Sequence, residues 1–395
     1  MRIYADNAAT TKMSRSAIDA MLLCMTERYG NPSSLYGLGQ QAKEALEQAR
    51  EEIAAVIGAE PREITFTSGG SEADNQAIRS AAEMGRKKGN MHIISTAFEH
   101  HAVLHTLKRL EQAGFTVTLL DVHEDGLVRV EELEAAIRAD TCLVTVMYAN
   151  NEIGTIQPIR EIGAICKKHG IAFHTDAVQA VGHLPIDVNR DNLDLLSASA
   201  HKFHGPKGIG FLYARKGVRL TNLIEGGAQE RGKRAGTENV PAVVGMSAAL
   251  RESAAAMEEH AAHMRTLRDR LFRGLQTIPH AALNGDAKRR LPGNVNFCFE
   301  GIQGESLLLL LDDRGICASS GSACTSGALD PSHVLLAIGR SHDVAYGSLR
   351  LTLGEDATEE EIDYIIENVA DVVSYLRGFS PVWQDLMSGK TPHLL

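Results

Sequence analysis

The chain has 395 residues, which at roughly 100–200 residues per domain predicts two or three domains. Hydrophobic residues make up 44% and charged residues 23%, the balance of a globular protein that buries its own cores. The net charge of −10 gives no general field for attracting nucleic acid or an anionic membrane, and so counts against both as partners.

In chain order, short runs rich in Ile, Val, Thr and Phe predict strands at Glu63–Ser68, His92–Phe98, Thr116–Val122, Cys142–Ala149, Ile171–Asp176, Leu195–Ser199 and Ile209–Ala214. Helical stretches fill most gaps, among them Ser71–Arg86, His101–Gln112 and Ile159–His169. This alternation predicts an α/β fold with a mainly parallel sheet covered on both faces. The pattern changes after about Pro241. A long helical tract to Ile278 is followed by strands at Asn294–Phe299 and Ser348–Leu353. Thr358 and Glu361 then spell a capping box. Beyond it, Ile362, Ile365, Ile366, Val369, Val372, Val373 and Leu376 share one helical face. This order suggests a smaller α+β domain attached through the long helix.

The six cysteines include no C-x-x-C pair, so zinc-ribbon and thioredoxin-like readings have no support. Several sit in apolar, strand-like runs and read as small buried hydrophobes. The N-terminus shows no secretory pattern, and no run approaches the ~20 apolar residues of a membrane span. A cytoplasmic, reduced, soluble protein is expected.

Three stretches could carry chemistry. At Thr67-Ser68-Gly69-Gly70-Ser71 a strand ends, glycines follow and a helix begins, a place where backbone N–H groups can cradle a phosphate. Ser71 would bond the phosphate or cap the helix. Asp176 ends a buried strand, where open α/β sheets place ligands, and could pair with a cationic ring nitrogen. Lys202 lies among small residues just after a strand, and a desolvated lysine becomes a competent amine nucleophile. Each has a plain alternative as a turn, a cap or a surface lysine. Together, in this order, they predict a pyridoxal 5'-phosphate site: a cradle for the phosphate, Asp176 on the ring nitrogen and Lys202 as the Schiff-base amine.

The sequence closely resembles the NifS/IscS-type cysteine desulfurases of the class V aminotransferase group, fold-type I enzymes. The resemblance runs from Tyr4-Ala5-Asp6-Asn7-Ala8-Ala9-Thr10-Thr11 through Asn31, Glu99-His100, Asn150-Asn151-Glu152-Ile153-Gly154 and His201-Lys202 to Ser319-Ser320-Gly321-Ser322-Ala323-Cys324 and Arg350. It implies a large domain at 12–255 with a seven-stranded sheet. A small domain at 1–11 and 256–395 would carry a catalytic cysteine loop at about 318–330. Lys202, His100 and Cys324 become the expected catalytic residues: Cα-proton base, ring-stacking histidine and persulfide-forming nucleophile. Gly70, Ser71, Ser199 and His201 match the phosphate binders, Asp176 the ring-nitrogen partner and Gln179 the neighbour of the ring hydroxyl. Thr237 matches a threonine reaching the phosphate from a partner subunit, so a homodimer is implied. Asn151 and Arg350 match the residues that hold the substrate carboxylate, and Asn31 and Ala9 lie in segments bordering the substrate.

The implied reaction converts L-cysteine to L-alanine and passes sulfur from Cys324 to an acceptor protein, such as an iron–sulfur scaffold or a tRNA-thiolation enzyme. A selenocysteine lyase, another class V aminotransferase and a non-catalytic adaptor are the alternatives. Cys317 reads as a buried strand residue. His100, His101 and His105 include an i, i+4 pair, but no H-E-x-x-H occurs and no metal is expected.

Overall fold

The computed structural model describes residues 2–320 and 331–395. Its main sheet has seven strands. Their spatial order is Ile64–Thr67, Gly210–Ala214, Leu195–Ser199, Ala172–Asp176, Thr141–Thr145, His92–Thr96 and Thr116–Leu120. Gly210–Ala214 runs antiparallel to both its neighbours, and the other pairings are parallel. The inner strands are buried along their length, while Thr116–Leu120 at the edge is half exposed. A parallel sheet of this kind survives only with both faces covered. The helices Gly70–Arg86 and His101–Gln112 cover one face through Ala77, Ile78, Ala81 and Leu107. Gly37–Val56, Ile159–His169 and the first half of Val240–Leu275 cover the other through Leu46, Ile53, Ile162, Val243 and Met246.

A second, antiparallel sheet pairs Asn294–Phe299 with Ser348–Thr352 and with Ala281–Leu283. Leu267, Leu271 and Leu275 from the far half of the long helix pack on it, with Ile362, Ile365, Val369 and Val373 of Glu359–Phe379. The long helix therefore contributes to both cores. Thr358 caps the later helix, with Glu361 returning a bond to its backbone, as the capping box required. Ile366 and Leu376 are only partly buried on that face. The strand Ile3–Tyr4 pairs in parallel with Ile316–Cys317, which brings the start of the chain to the second core.

Cys142 and Cys298 are buried in strands, and Cys24 and Cys166 are buried on helices. One expectation about cysteine is corrected: Cys317 lies in a strand but is only half-buried, because its two-residue strand sits at the end of a short ladder. Among the described residues no helix is long and apolar enough to cross a membrane.

Candidate active site

The site lies where three neighbouring strands end. Ile64–Thr67 leads into the glycine turn, Ala172–Asp176 ends on Asp176, and Leu195–Ser199 leads through a short 3-10 turn to Lys202. Gly210 starts the antiparallel strand between the first and third, opposite both Thr67 and Ser199. A Cβ on Gly210 would stand 2.3 Å from the Ala198 carbonyl oxygen and 2.8 Å from Gly69 Cα. Only glycine lets these segments close together here.

Gly69 occupies φ +147°, and the helix begins at Gly70. The N-cap is therefore Gly69 and not Ser71, which sits exposed in the first turn. The reason is the backbone: the positive φ that ends the strand already points the first helical N–H groups outward, so no side-chain cap is needed. A Cβ on Gly70 would strike Val178 at 2.6 Å, and one on Gly69 would touch Ser199 Oγ at 3.5 Å. The cradle and Ser199 are thus neighbours. Glu72 braces the turn, accepting from the Ser68 N–H at 2.8 Å and pairing with Arg234 at 3.0 Å. Burial pushes its carboxyl up, but these bonds outweigh burial and hold it below its usual range. Ser71 and His100 line one recess of about 430 Å³ together with Arg79 and Arg109.

Asp176 is buried, with Oδ1 accepting the Val178 N–H at 2.9 Å. Burial lifts its carboxyl above the ordinary range against the pull of His100, the Val178 N–H and Lys202. Those causes place His100 and Lys202 around the same carboxylate. His100 caps the helix His101–Gln112, its Nδ1 accepting the Ala102 N–H at 3.2 Å, which leaves the proton of a neutral ring on Nε2. Behind Asp176 stand groups that the sequence reading missed. Asp74 and Glu99 are fully buried; burial, together with Asp176, pushes Asp74 well up and Glu99 to about 8. His174 is neutral, pushed down to about 3 by burial, and bonded to Thr145 and Ser197. Asp176 is thereby the carboxylate that a cationic ring would meet.

Lys202 Nζ donates to the carbonyls of Ala8 at 2.6 Å and Ala9 at 2.8 Å, and Gln179 Nε2 donates to Ala8 at 3.0 Å. These bonds bring Ala9, Gln179 and Lys202 together. His201 is pushed down to about 4 by burial and the charges of Lys202 and Lys207; its ring meets Thr10 Oγ1 at 3.1 Å.

Arg350 stands on Ser348–Thr352, buried. Its Nη1 donates to the Asn151 carbonyl at 3.1 Å and its Nη2 pairs with Asp6 at 2.8 Å. Asp6 is a functional neighbour that the sequence pattern signals only as the one acidic residue in the small, polar run Tyr4–Thr11. Asn31 is exposed in a turn where its Oδ1 accepts the Ser33 N–H, and Thr237 is exposed in the loop before the long helix. No hydrogen bond among the described residues joins either to the rest of the set. Cys324 lies outside the described residues.

A buried strand-end carboxylate, a glycine cradle at a helix N-terminus and a lysine between them fit pyridoxal phosphate.

The family model "Aminotransferase class-V" matches residues 3–365. A cysteine desulfurase IscS of Clostridium botulinum is 54% identical over 98% of this chain and 98% of its own length. A NifS-like protein of known structure superposes with a TM-score of 0.89 at 41% identity, covering 95% of this chain and all (100%) of its own. A second structure, SspA in complex with cysteine, gives a TM-score of 0.79 at 37% identity over 91% of this chain and 100% of its own. The chain belongs to the class-V aminotransferase family, among its NifS/IscS-type pyridoxal-phosphate-dependent enzymes.

Proposed function

We propose that the chain is a cysteine desulfurase that takes the sulfur of L-cysteine onto Cys324, releases L-alanine and passes the sulfur to an acceptor protein. One observation carries the reading beyond the family. The backbone of Arg350, the fork for a carboxylate, is paired in both directions with Ser319, a few residues before Cys324. Ser319, five positions before Cys324 in the sequence, is therefore held beside the group that would bind the substrate carboxylate.

When bound, pyridoxal phosphate supplies an electron sink for a carbanion next to the substrate's nitrogen. The N–H groups at Gly70 and Ser71, with Ser199 and His201, hold its phosphate. Asp176 keeps a proton on the ring nitrogen, which the buried carboxylate favours over standing alone. Lys202 Nζ tethers the group and then moves the proton at the substrate Cα. His100 covers the site from the cap of its helix and offers Nε2–H for proton transfer. Arg350 holds the substrate carboxylate in a planar two-point contact, with Asn151 beside it. The Cys324 thiolate attacks the substrate sulfur: an S–S bond forms, the C–S bond breaks, and its electron pair stays with carbon, which is protonated on the way to alanine.

Thr237 is assigned to the phosphate of a second copy. Its exposure supports that, as does the stretch in which Leu22, Met25, Tyr29, Leu35 and Tyr36 leave large apolar side chains in solvent. The division into a domain at 12–255 and a domain at 1–11 plus 256–395 is supported by the two cores the long helix joins, although Val334, Leu335 and Val344 pack with the first. Free Cys24, Cys142, Cys166, Cys298 and Cys317 suit a reducing, cytoplasmic setting.

The test is alanine and sulfide release from L-cysteine by the cofactor-loaded protein with a thiol reductant. Equal release supports the reading. Lys202→Ala abolishes the lysine-linked cofactor absorbance, and Cys324→Ser keeps that absorbance but forms no persulfide. Equal persulfide in the Cys324→Ser protein would refute the assignment.

A further inference from the structure

Glu152 belongs to the motif at Asn150–Gly154 and is buried beside Asn151, with no part in the chemistry proposed for the site. Asn150 shapes this turn, its Oδ1 accepting the N–H groups of Glu152 at 2.8 Å and Ile153 at 3.0 Å, and its Nδ2 donating to the Phe98 carbonyl at 3.0 Å. The Glu152 carbonyl accepts from Asn294 and Asn296 at 3.1 Å each. Asn296 stands directly opposite Arg350 in the ladder. The buried Glu152 carboxylate accepts the Ser332 hydroxyl proton, while Ser332 Oγ accepts the N–H groups of Val334 at 3.1 Å and Leu335 at 3.3 Å. The next residue, His333, donates through Nε2 to the Glu99 carbonyl at 3.0 Å, one residue before His100.

Ser319 at the other side is bonded to Arg350 through the backbone, and its Oγ meets Asp6 at 3.4 Å. The Ser319 flank is therefore fastened to Arg350 itself, and the Ser332 flank to Glu152, the residue after Asn151 of the fork. At the Ser319 flank the fastening is a backbone pair. At the Ser332 flank the ionisable Glu152 side chain takes the Ser332 hydroxyl, beside the His333 bond to the Glu99 carbonyl.

We propose that Glu152 is a positioning residue for the reaction, linking the Asn151–Arg350 fork to the segment that begins at Ser332. The proposal rests on the function given above. Its charge logic follows from the groups that face it. Burial raises the Glu152 carboxyl to about 7, opposed by the Ser332 hydrogen bond and by the Arg350 charge, which Asp6 already shares. A substrate carboxylate on Arg350 adds negative charge beside Glu152 and favours its protonated form. A protonated Glu152 no longer attracts the Ser332 hydroxyl proton as a carboxylate does. Occupancy of the fork is thereby felt at Ser332.

The test measures alkylation of Cys324 by iodoacetamide in the cofactor-loaded protein across pH 6–9, read by peptide mass, with and without L-alanine as a sulfur-free occupant of the fork. The expected wild-type profile has an inflection near pH 7 besides that of the thiol, and L-alanine moves it upward. Glu152→Gln and Ser332→Ala each lose that inflection while keeping the bound-cofactor absorbance. A wild-type profile without the inflection overturns the proposal, as does one that persists in both variants. A merely structural role would lower melting temperature and leave the shape of the profile alone. Should Glu152→Gln fail to fold, Ser332→Ala decides. Persulfide formation from L-cysteine, followed in the same wild-type sample, reports separately on the proposed function: its absence with the inflection present would refute the function and spare the positioning role.

Discussion

Asp6 Oδ1 lies 2.8 Å from Arg350 Nη2, an ion pair that joins the first segment of the chain to a strand near its end. The guanidinium is buried, and the Asn151 carbonyl takes Nη1. Two of its edges are thus fixed before any substrate arrives, which orients the plane that a carboxylate must meet. Arg350→Lys keeps a charge but loses the planar fork. It is expected to raise KM for L-cysteine about tenfold or more, in line with one lost charge-assisted hydrogen bond. The bound-cofactor absorbance should not change, since the role proposed for Arg350 is with the substrate carboxylate and not with the cofactor. Steady-state kinetics on the loaded enzyme checks this; an unchanged KM would remove Arg350 from the carboxylate site.

Glu230 and Arg50 form a second pair, buried on both sides. Arg50 donates to the two Glu230 oxygens at 2.9 and 2.7 Å, and Glu230 also accepts the Phe66 N–H at 2.9 Å. Arg50 stacks over the Phe66 ring at 4.4 Å. The pair pins the loop that carries Arg231, Lys233 and Arg234 to the strand feeding the phosphate cradle. Glu230→Ala leaves the buried guanidinium only the part-exposed Glu47 at 3.3 Å and the Ile64 carbonyl at 3.0 Å, and is expected to destabilise by about 3 kcal/mol, the low end for breaking a buried pair. Replacing both partners by apolar residues of similar volume should cost far less. Denaturant unfolding of the cofactor-free protein measures both.

Glu99 gives a pH-dependent prediction. Burial raises its carboxyl from 4.5 to about 8, against hydrogen bonds from Thr96 and the Met147 N–H, with Asp176 adding to the rise. Between these values the folded protein holds a proton that the unfolded chain has lost. The unfolded state then binds fewer protons, so stability falls as pH rises. The contribution is fully present below about pH 4.5, is lost progressively up to about pH 8 and changes little beyond. Glu99→Gln cannot ionise and escapes the loss. The variant's stability relative to wild type is therefore expected to rise from pH 5 to pH 8, by roughly a few kcal/mol, and then level off. Parallel unfolding curves across that range would show that Glu99 does not titrate there.

The sheet was readable because buried strands announce themselves by composition, and all seven begin within a residue or two of their expected starts. Their direction was less readable. Gly210–Ala214 follows a tight turn and runs backward, yet its residues look like those of a parallel strand. The helices Arg15–Thr26 and Gly37–Val56 were not named in advance, and each lacks a usual signal. The first buries only Ala17 and Cys24 and leaves Ile18, Leu22 and Met25 exposed. The second opens on Gly37 with Tyr36 providing no side-chain cap. At the site, Lys202 and Asp176 stood out because each sits at a strand end. Asp74, Glu99 and Glu152 did not, because a buried carboxyl is identical in sequence to an exposed one and gains its meaning only from tertiary packing.

The assignment of Thr237 to a second copy has a decisive test in mixed dimers. Thr237→Val removes one hydroxyl donor to a charged phosphate and is expected to weaken cofactor retention about tenfold or more. Lys202→Ala removes the tether and the base. Neither homodimer should turn over L-cysteine at limiting cofactor. In a heterodimer of the two variants, a threonine acting across the interface puts both lesions in one site and leaves the other intact: the site with its own Lys202 receives Thr237 from the chain that still carries it. The heterodimer then regains about half of wild-type turnover, by counting sites. If Thr237 acts within its own chain, each site carries one lesion and the heterodimer stays inactive. Size-exclusion light scattering on the same samples confirms that a dimer is being assayed, and a monomer with full activity would overturn the assignment outright.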